Sequence, residues 1–201
     1  MFIVARHGNT FEANEQPRRV GARTDLPLTT RGKEQAQALG SCFAERGWQF
    51  GRVLVSPLLR TRQTAEEIIA QLPSAPQVQT ADFLREIDHG PDENLPDEAI
   101  LARIGQEALD AWERDAQVPP GWLVEPEARI LAWQDLFAAP ANGPTLLVTS
   151  NGAARFALLA DPRLRKSAKS LRSLKLPTGG FGIVARDEVK GLVLEAWGER
   201  P

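Results

Sequence analysis

Short apolar runs of four or five residues alternate along the chain with longer stretches of helical period. The first run, Phe2-Ile3-Val4-Ala5, ends in a polar turn containing glycine. Bounded in this way, it predicts a buried strand that delivers Arg6, His7 and Gly8 to its C-terminal edge. A helix is expected from Thr29 or Thr30 towards Gly47, with Ala36, Leu39, Cys42 and Phe43 on one face. Thr30 and Glu34 stand one residue too far apart for a capping box, so both threonines are candidate caps. Arg52 to Ser56 predicts a second buried strand, followed by Pro57 and a helix from about Arg60 to Gln71, stopped by Pro73. Gln77 to Thr80 predicts a third strand, and Asp88 to Asp97, rich in Gly, Pro and acid, a loop. Helices are expected over about Glu98 to Asp115 and Glu125 to Ala138, separated by Pro119-Pro120-Gly121. Thr145 to Thr149 predicts a further buried strand, from which Asn151-Gly152 turns the chain into a helix ending near Leu159. Phe181 to Ala185 and Leu192 to Ala196 predict a hairpin around Asp187 to Gly191.

Strands alternating with helices imply an α/β fold: three layers, a mostly parallel sheet with helices on both faces. With 201 residues the chain is expected to form one domain, 1–201, the helical stretch at about 88–140 being a lid insertion beside the sheet. The net charge of −2 supplies no field for nucleic acid or an anionic membrane, so an anionic ligand has to be held by local arginines. Cys42 is the single cysteine, which excludes an intrachain disulfide. The opening apolar run is too short for a signal peptide, and no run approaches the length of a membrane span. A cytoplasmic protein is the expectation. With only His7 and His89 beside that cysteine, no Cys/His zinc cluster can form and no metal is expected, although the composition is compatible with an all-carboxylate magnesium site.

Ligands of open α/β sheets sit at the carboxyl edge of the strands. The three best predicted strands end in Arg6-His7-Gly8, in Ser56-Pro57 leading to Arg60, and in Thr149-Ser150-Asn151-Gly152. Together these place an imidazole, two guanidinium forks and several neutral donors at one edge, as a phosphoryl group requires.

Phe2 to Thr10, with its Arg6-His7-Gly8 core, resembles the opening signature of the histidine phosphatase, or phosphoglycerate-mutase-like, superfamily. Three further blocks follow in that family's order: Gly21 to Thr29 with Gly32 and Gln35-Ala36, then Ser56 to Ala65, then Leu84-Arg85-Glu86-Ile87. The resemblance implies a phosphoglycerate-mutase-like fold and roles for individual residues. His7 would accept the phosphoryl group, and Arg6 and Arg60 would clamp its oxygens. Glu86 would protonate the leaving oxygen and then act as base for water. Asn9 and Thr10 would line the pocket, and the insertion would close over a small phosphorylated substrate. No cofactor is implied.

Ser150 stands where the family usually carries a second histidine. Serine donates only a neutral hydrogen bond, a loss of about 1–3 kcal/mol or roughly ten- to a hundredfold in rate. Asn151 offers a further donor, and His89 a possible replacement for the missing charge. Ala13 replaces an asparagine common six residues after the nucleophile, and Gly90 to Asn94 stand where a Trp-Glu-Gly element is common. Both departures point away from a glycolytic mutase. The expected activity is therefore phosphomonoester hydrolysis through a phosphohistidine. The alternatives are a weak or inactive relative that binds a phosphorylated ligand and, behind it, a phosphomutase. The basic stretch Arg163 to Lys169, with Arg172 and Lys175 and no interleaved aromatics, reads as a solvated face rather than a nucleic-acid site. Thr178-Gly179-Gly180 reads as a turn entering the hairpin, with Thr178 able to meet the pocket rim.

Overall fold

A computed structural model describes residues 1–74, 76–140 and 142–201. Six strands form one sheet: β1 (Phe2–Arg6), β2 (Arg52–Val55), β3 (Val78–Thr80), β4 (Thr145–Thr149), β5 (Phe181–Asp187) and β6 (Gly191–Glu199). They lie in the order β3-β2-β4-β1-β5-β6. The four on the β3 side pair in parallel, and β5 and β6 are added antiparallel.

Alternation along the strands explains the layers. Ile3, Ala5, Val53, Val55, Leu146 and Val148 face one way, onto α1 (Thr30–Glu45) and α2 (Leu59–Ile69) through Leu39, Phe43, Ala65 and Ile68. Phe2, Val4, Leu54 and Leu147 face the other way, onto Trp112, Trp133, Leu136, Phe156 and Leu164. Those five belong to α3 (Asp97–Asp115), α4 (Pro126–Ala138), α5 (Asn151–Leu159) and α6 (Pro162–Ala168). A strand buried on both faces shows no polar alternation, as β1 and β4 do not.

Thr29 caps α1, its hydroxyl accepting from the Gly32 amide at 3.1 Å, so Glu34 has no capping role. Helix α2 stops at Ile69, two residues earlier than expected. Within the segment around 88–140, Trp112, Trp122, Trp133 and Phe137 join the main core with strand residues, large aromatic side chains burying much apolar surface there. Helix α3 is also not continuous: Gly105 takes φ 77° and ψ 163°, a conformation that costs glycine nothing and breaks the helix there. The loop 88–97 contains a 3₁₀ turn over Gly90–Asp92. Within it Asp92 is fully buried and accepts from the Trp122 indole at 2.7 Å and from Arg103.

One helix was not expected. Arg163 to Ala168 lies in α6, which begins with Asp161 accepting from the Arg163 amide at 2.7 Å and with Pro162 in its first turn. The basic residues thus decorate a short helix whose Leu164 enters the core. Both hairpin strands run past their expected ends, to Asp187 and from Gly191 to Glu199. No helix among the described residues is long and apolar enough to cross a membrane.

Candidate active site

The carboxyl edges of β1 and β4 lie side by side, Arg6 opposite Thr149. The chain leaves β1 with the His7 amide donating to the Thr149 carbonyl at 3.0 Å. Gly8 then passes over the first turn of α1 so closely that a β-carbon would stand 2.1 Å from the Gly32 oxygen. Its amide donates to the Thr64 hydroxyl at 3.1 Å, and that hydroxyl donates to the Arg60 carbonyl at 2.7 Å. The Asn9 amide is held by the Gln35 side chain at 2.9 Å, and its carbonyl accepts from the amide and hydroxyl of Thr29. The loop that follows β1 is thereby fixed to both helices of one layer.

His7 is 7% exposed, and its Nδ1 lies 2.7 Å from the Gly8 carbonyl oxygen. A carbonyl only accepts, so Nδ1 carries the proton and Nε2 keeps its lone pair. Burial, then Arg60 and then Arg6, push the imidazole pKa well below its ordinary value, against a smaller opposing effect of the Gly8 carbonyl. The ring is neutral at pH 7.

Both arginines are anchored by backbone oxygens. Arg6 Nη1 donates to the Leu176 carbonyl at 2.8 Å. Arg60 is fully buried, with Nη1 on the Thr24 carbonyl at 2.9 Å and Nη2 on that of Gly21 at 3.1 Å. The Nε of each lacks a partner. Burial lowers both guanidinium pKa values, and Glu86 opposes the effect in each.

The segment 21–24 that holds Arg60 is itself held by Glu93. Glu93 Oε1 accepts from the amides of Gly21 and Arg23 at 3.0 and 3.1 Å and from the Thr24 hydroxyl at 2.8 Å, while Oε2 accepts from the His89 amide at 3.1 Å. The neighbouring His89 imidazole first, then the Thr24 hydroxyl and the His89 amide, outweigh its burial and bring the Glu93 pKa down to about 2. Glu93 lies within Gly90 to Asn94, the stretch standing where a Trp-Glu-Gly element is common, and the neighbouring Asn94 takes the left-handed φ of 63°.

Glu86 is 5% exposed and clamped by amides: Ile87 donates to Oε1 at 2.9 Å and Gly152, in the first turn of α5, to Oε2 at 3.0 Å. A β-carbon at Gly152 would stand 2.3 Å from Oε1.

A cavity of about 450 Å³ is lined by His7, Arg6, Asn9, Thr10, Glu86 and Thr178, among others. An adjoining space of about 240 Å³ shares Arg6 and Glu86 and adds His89, Asn151 and Arg155. His89 therefore stands on the second space, its ring edge-on to Trp122 and its Nδ1 3.5 Å from Glu93. Asn151 accepts from the Leu176 amide at 3.0 Å. Ser150 is fully buried, and its hydroxyl has no partner. A larger groove of about 770 Å³ beside α6 contains none of His7, Arg6 or Glu86. Among the described residues no three His, Cys, Asp or Glu side chains are grouped to hold a metal ion. Thr64, Gln35, Glu93 and Arg155 were not singled out from sequence. Gln35 and Thr64 lie inside the blocks that carry the family resemblance and Glu93 inside Gly90 to Asn94, but their contacts, like those of Arg155, are long-range and not revealed by spacing.

A mixed α/β sheet whose parallel strands bring a histidine and two arginines to their carboxyl edge is suited to handling a phosphoryl group. The chain belongs to the histidine phosphatase superfamily (branch 1), whose family model matches residues 2–199. It is 29% identical over 186 residues to a 2,3-bisphosphoglycerate-dependent phosphoglycerate mutase of Methylocella silvestris, covering 89% of this chain and 88% of that one. It is 30% identical over 169 residues to PhoE of Bacillus subtilis, named as an uncharacterised phosphatase, covering 82% and 80%. Its fold is similar to that of a mycobacterial glucosyl-3-phosphoglycerate phosphatase, with a TM-score of 0.77 at 21% identity and 100% and 99% coverage. An enzyme acting on phosphate esters is thus supported by kinship as well as geometry.

Proposed function

We propose that this chain is a phosphatase that hydrolyses a small phosphomonoester through a phosphohistidine at His7. The observation that carries this reading is the state of His7, a neutral imidazole with its Nδ1 proton committed to Gly8 and its Nε2 lone pair available beside two cations. In the first step Nε2 bonds to phosphorus and the ester P–O bond breaks. The departing oxygen takes a proton from Glu86, while Arg6 and Arg60 bind the equatorial oxygens. Water then attacks phosphorus and gives its proton to Glu86. The P–N bond breaks, returning neutral His7 and inorganic phosphate. Asn9 and Thr10 are neutral donors on the cavity that holds His7, Asn151 and His89 stand on the adjoining space, and Ser150 is buried and lines neither. The chemistry needs no cofactor or metal, and a cytoplasmic setting suits such a substrate.

The kinship with named mutases favours a second reading, transfer of the phosphoryl group to a substrate hydroxyl. One experiment separates the readings. Protein incubated with a ³²P-labelled phosphomonoester is quenched in alkaline detergent, which preserves phosphohistidine. A phosphatase labels wild type but not His7→Ala, and the label chases into inorganic phosphate. A mutase chases it onto an added acceptor acid instead, and a binding protein never labels. Absence of label from any member of a phosphomonoester panel overturns the proposal.

A further inference from the structure

The groove of about 770 Å³ beside α6 shares no lining residue with the cavity that holds His7. Its size is that of a pocket for one small molecule. The floor is apolar and continuous with the core: Phe156 and Leu174 are buried, and Ile130, Leu159 and Leu171 are half-buried beside the same clusters. The Trp197 indole donates to the Leu174 carbonyl at 3.0 Å and fixes that end of the floor. The two walls differ in charge. On the α3 side every acid already has a donor: Asp110 accepts from Gln106 at 2.7 Å, Asp115 pairs with Arg114 at 2.8 Å and Glu113 with Lys175 at 3.1 Å. On the α6 side Arg165, Lys169 and Arg172 pair with no carboxylate among the described residues. Arg165 is held instead by a neutral oxygen, Nη2 donating to the Leu159 carbonyl at 2.6 Å. An adjoining hollow of about 280 Å³ shares Leu159, Arg165 and Lys169 and adds Lys166, which also lacks a carboxylate partner among the described residues. The chain as a whole carries −2, so this positive wall is a local concentration of charge.

We propose that this groove binds a small amphipathic anion, an alkyl or aryl body carrying one carboxylate or comparable oxyanion, at a site separate from the phosphoryl chemistry. The apolar body lies on Phe156, Leu159, Leu171 and Leu174, and the head meets Arg165 and Lys169 where the two hollows join. Burial of the body supplies attraction without direction. The α6 cations and the acids of the α3 wall then set which way the molecule faces and which sign of head is accepted. An uncharged molecule gains only the first effect, and a cationic one is repelled by α6. Each exposed ion pair is worth about two- to fivefold in affinity, so two cations acting on one head give about tenfold. The basic stretch Arg163 to Lys169 carries no aromatic side chain on which a nucleobase could stack, so its charge serves a ligand seated on the floor beside it.

The test follows the fluorescence of anilinonaphthalene sulfonate with the folded full-length chain, and its displacement by two compounds of equal alkyl length, dodecanoate and dodecyltrimethylammonium, kept below micelle formation. One probe molecule should bind per chain. Dodecanoate should displace it at least about tenfold more effectively than the cationic compound, and about 0.5 M salt should narrow that ratio. Arg165→Gln combined with Lys169→Gln, both at exposed positions, should lower the affinity for dodecanoate about fivefold or more. Leu171→Asn should weaken both alkyl compounds alike, and Lys33→Gln, an exposed position on α1, neither. Unchanged Tm values show that each variant is folded. Equal displacement by the two alkyl compounds, an affinity for dodecanoate untouched by the double variant, or no probe bound by the folded chain overturns the proposal. Displacement of the probe by inorganic phosphate, beyond that by chloride at equal ionic strength, places the probe in the catalytic cavity and also overturns it. Attachment to phosphatidylglycerol vesicles without binding of free dodecanoate makes this face a membrane surface and overturns it as well.

Discussion

Replacing Glu93 by Gln removes one negative charge from the centre of a cluster of donors. The side chain is only 7% exposed. Two backbone amides, a threonine hydroxyl and the His89 amide all point at its oxygens, so the new NH₂ group would face donors rather than acceptors. The fall in pKa from 4.5 to about 2 corresponds to about 3 kcal/mol at about 1.4 kcal/mol per unit. Solvent screening of a partly open site reduces this to about 2 kcal/mol. In a domain of this size that lowers Tm by about 4–8 °C. The pH dependence gives the sharper test. A folded-state pKa held below the unfolded one stabilises above about pH 4.5, and the contribution is lost as pH falls towards 2. Urea midpoints of wild type and Glu93→Gln should therefore lie furthest apart near neutrality and converge on acidification. A difference below about 0.5 kcal/mol, or one that does not vary with pH, would refute the reasoning. Because Gly21 and Thr24 present the carbonyls that hold Arg60, the same variant should raise KM for a phosphomonoester.

Gly152→Ala drives a methyl group into the Glu86 carboxylate and should lower kcat about ten- to a hundredfold with a smaller change in KM, measured on an aryl phosphate. Ser150→Ala removes a buried hydroxyl without a partner, so Tm should hold or rise. His7 has a folded-state pKa well below 6.5, so the unfolded chain binds the proton first and stability falls as pH drops below about 6.5. His7→Gln should lack that part of the slope in urea titrations between about pH 6.5 and 5, by up to about 1.4 kcal/mol per unit. For the same reason the acid limb of kcat/KM for wild type should lie below about pH 6.5.

Much of the architecture was legible because β1 and β4 are buried on both faces and read as unbroken apolar runs ending in polar turns. The turn after β1 carries Arg6 and His7, and the blocks of family resemblance marked Arg60 and Glu86 as candidates. What escaped depends on non-local or backbone geometry. The break at Gly105 sits inside a pattern that remains helical on either side. That the aromatic residues of the segment 88–140 pack on the sheet is likewise not announced by their spacing. The short α6 begins with an Asp-Pro signal hidden within a basic run. Glu93 accepts from main-chain amides about seventy residues away, the Gly152 amide donates to the distant Glu86 carboxylate, and Arg155 meets a carbonyl and ring of α3, contacts that no period in the sequence encodes.

The arginines of this pocket are fastened by neutral oxygens: Arg6 by Leu176, Arg60 by Gly21 and Thr24, Arg155 by Trp112. A carboxylate tether would fix each side chain equally well and cancel its electrostatic pull. Carbonyl tethers keep location and potential independent, so a molecule with an overall acidic balance retains a concentrated electropositive well. A carboxylate brought beside any one of these guanidinium groups would neutralise part of the well, and the loss would be read in phosphate affinity.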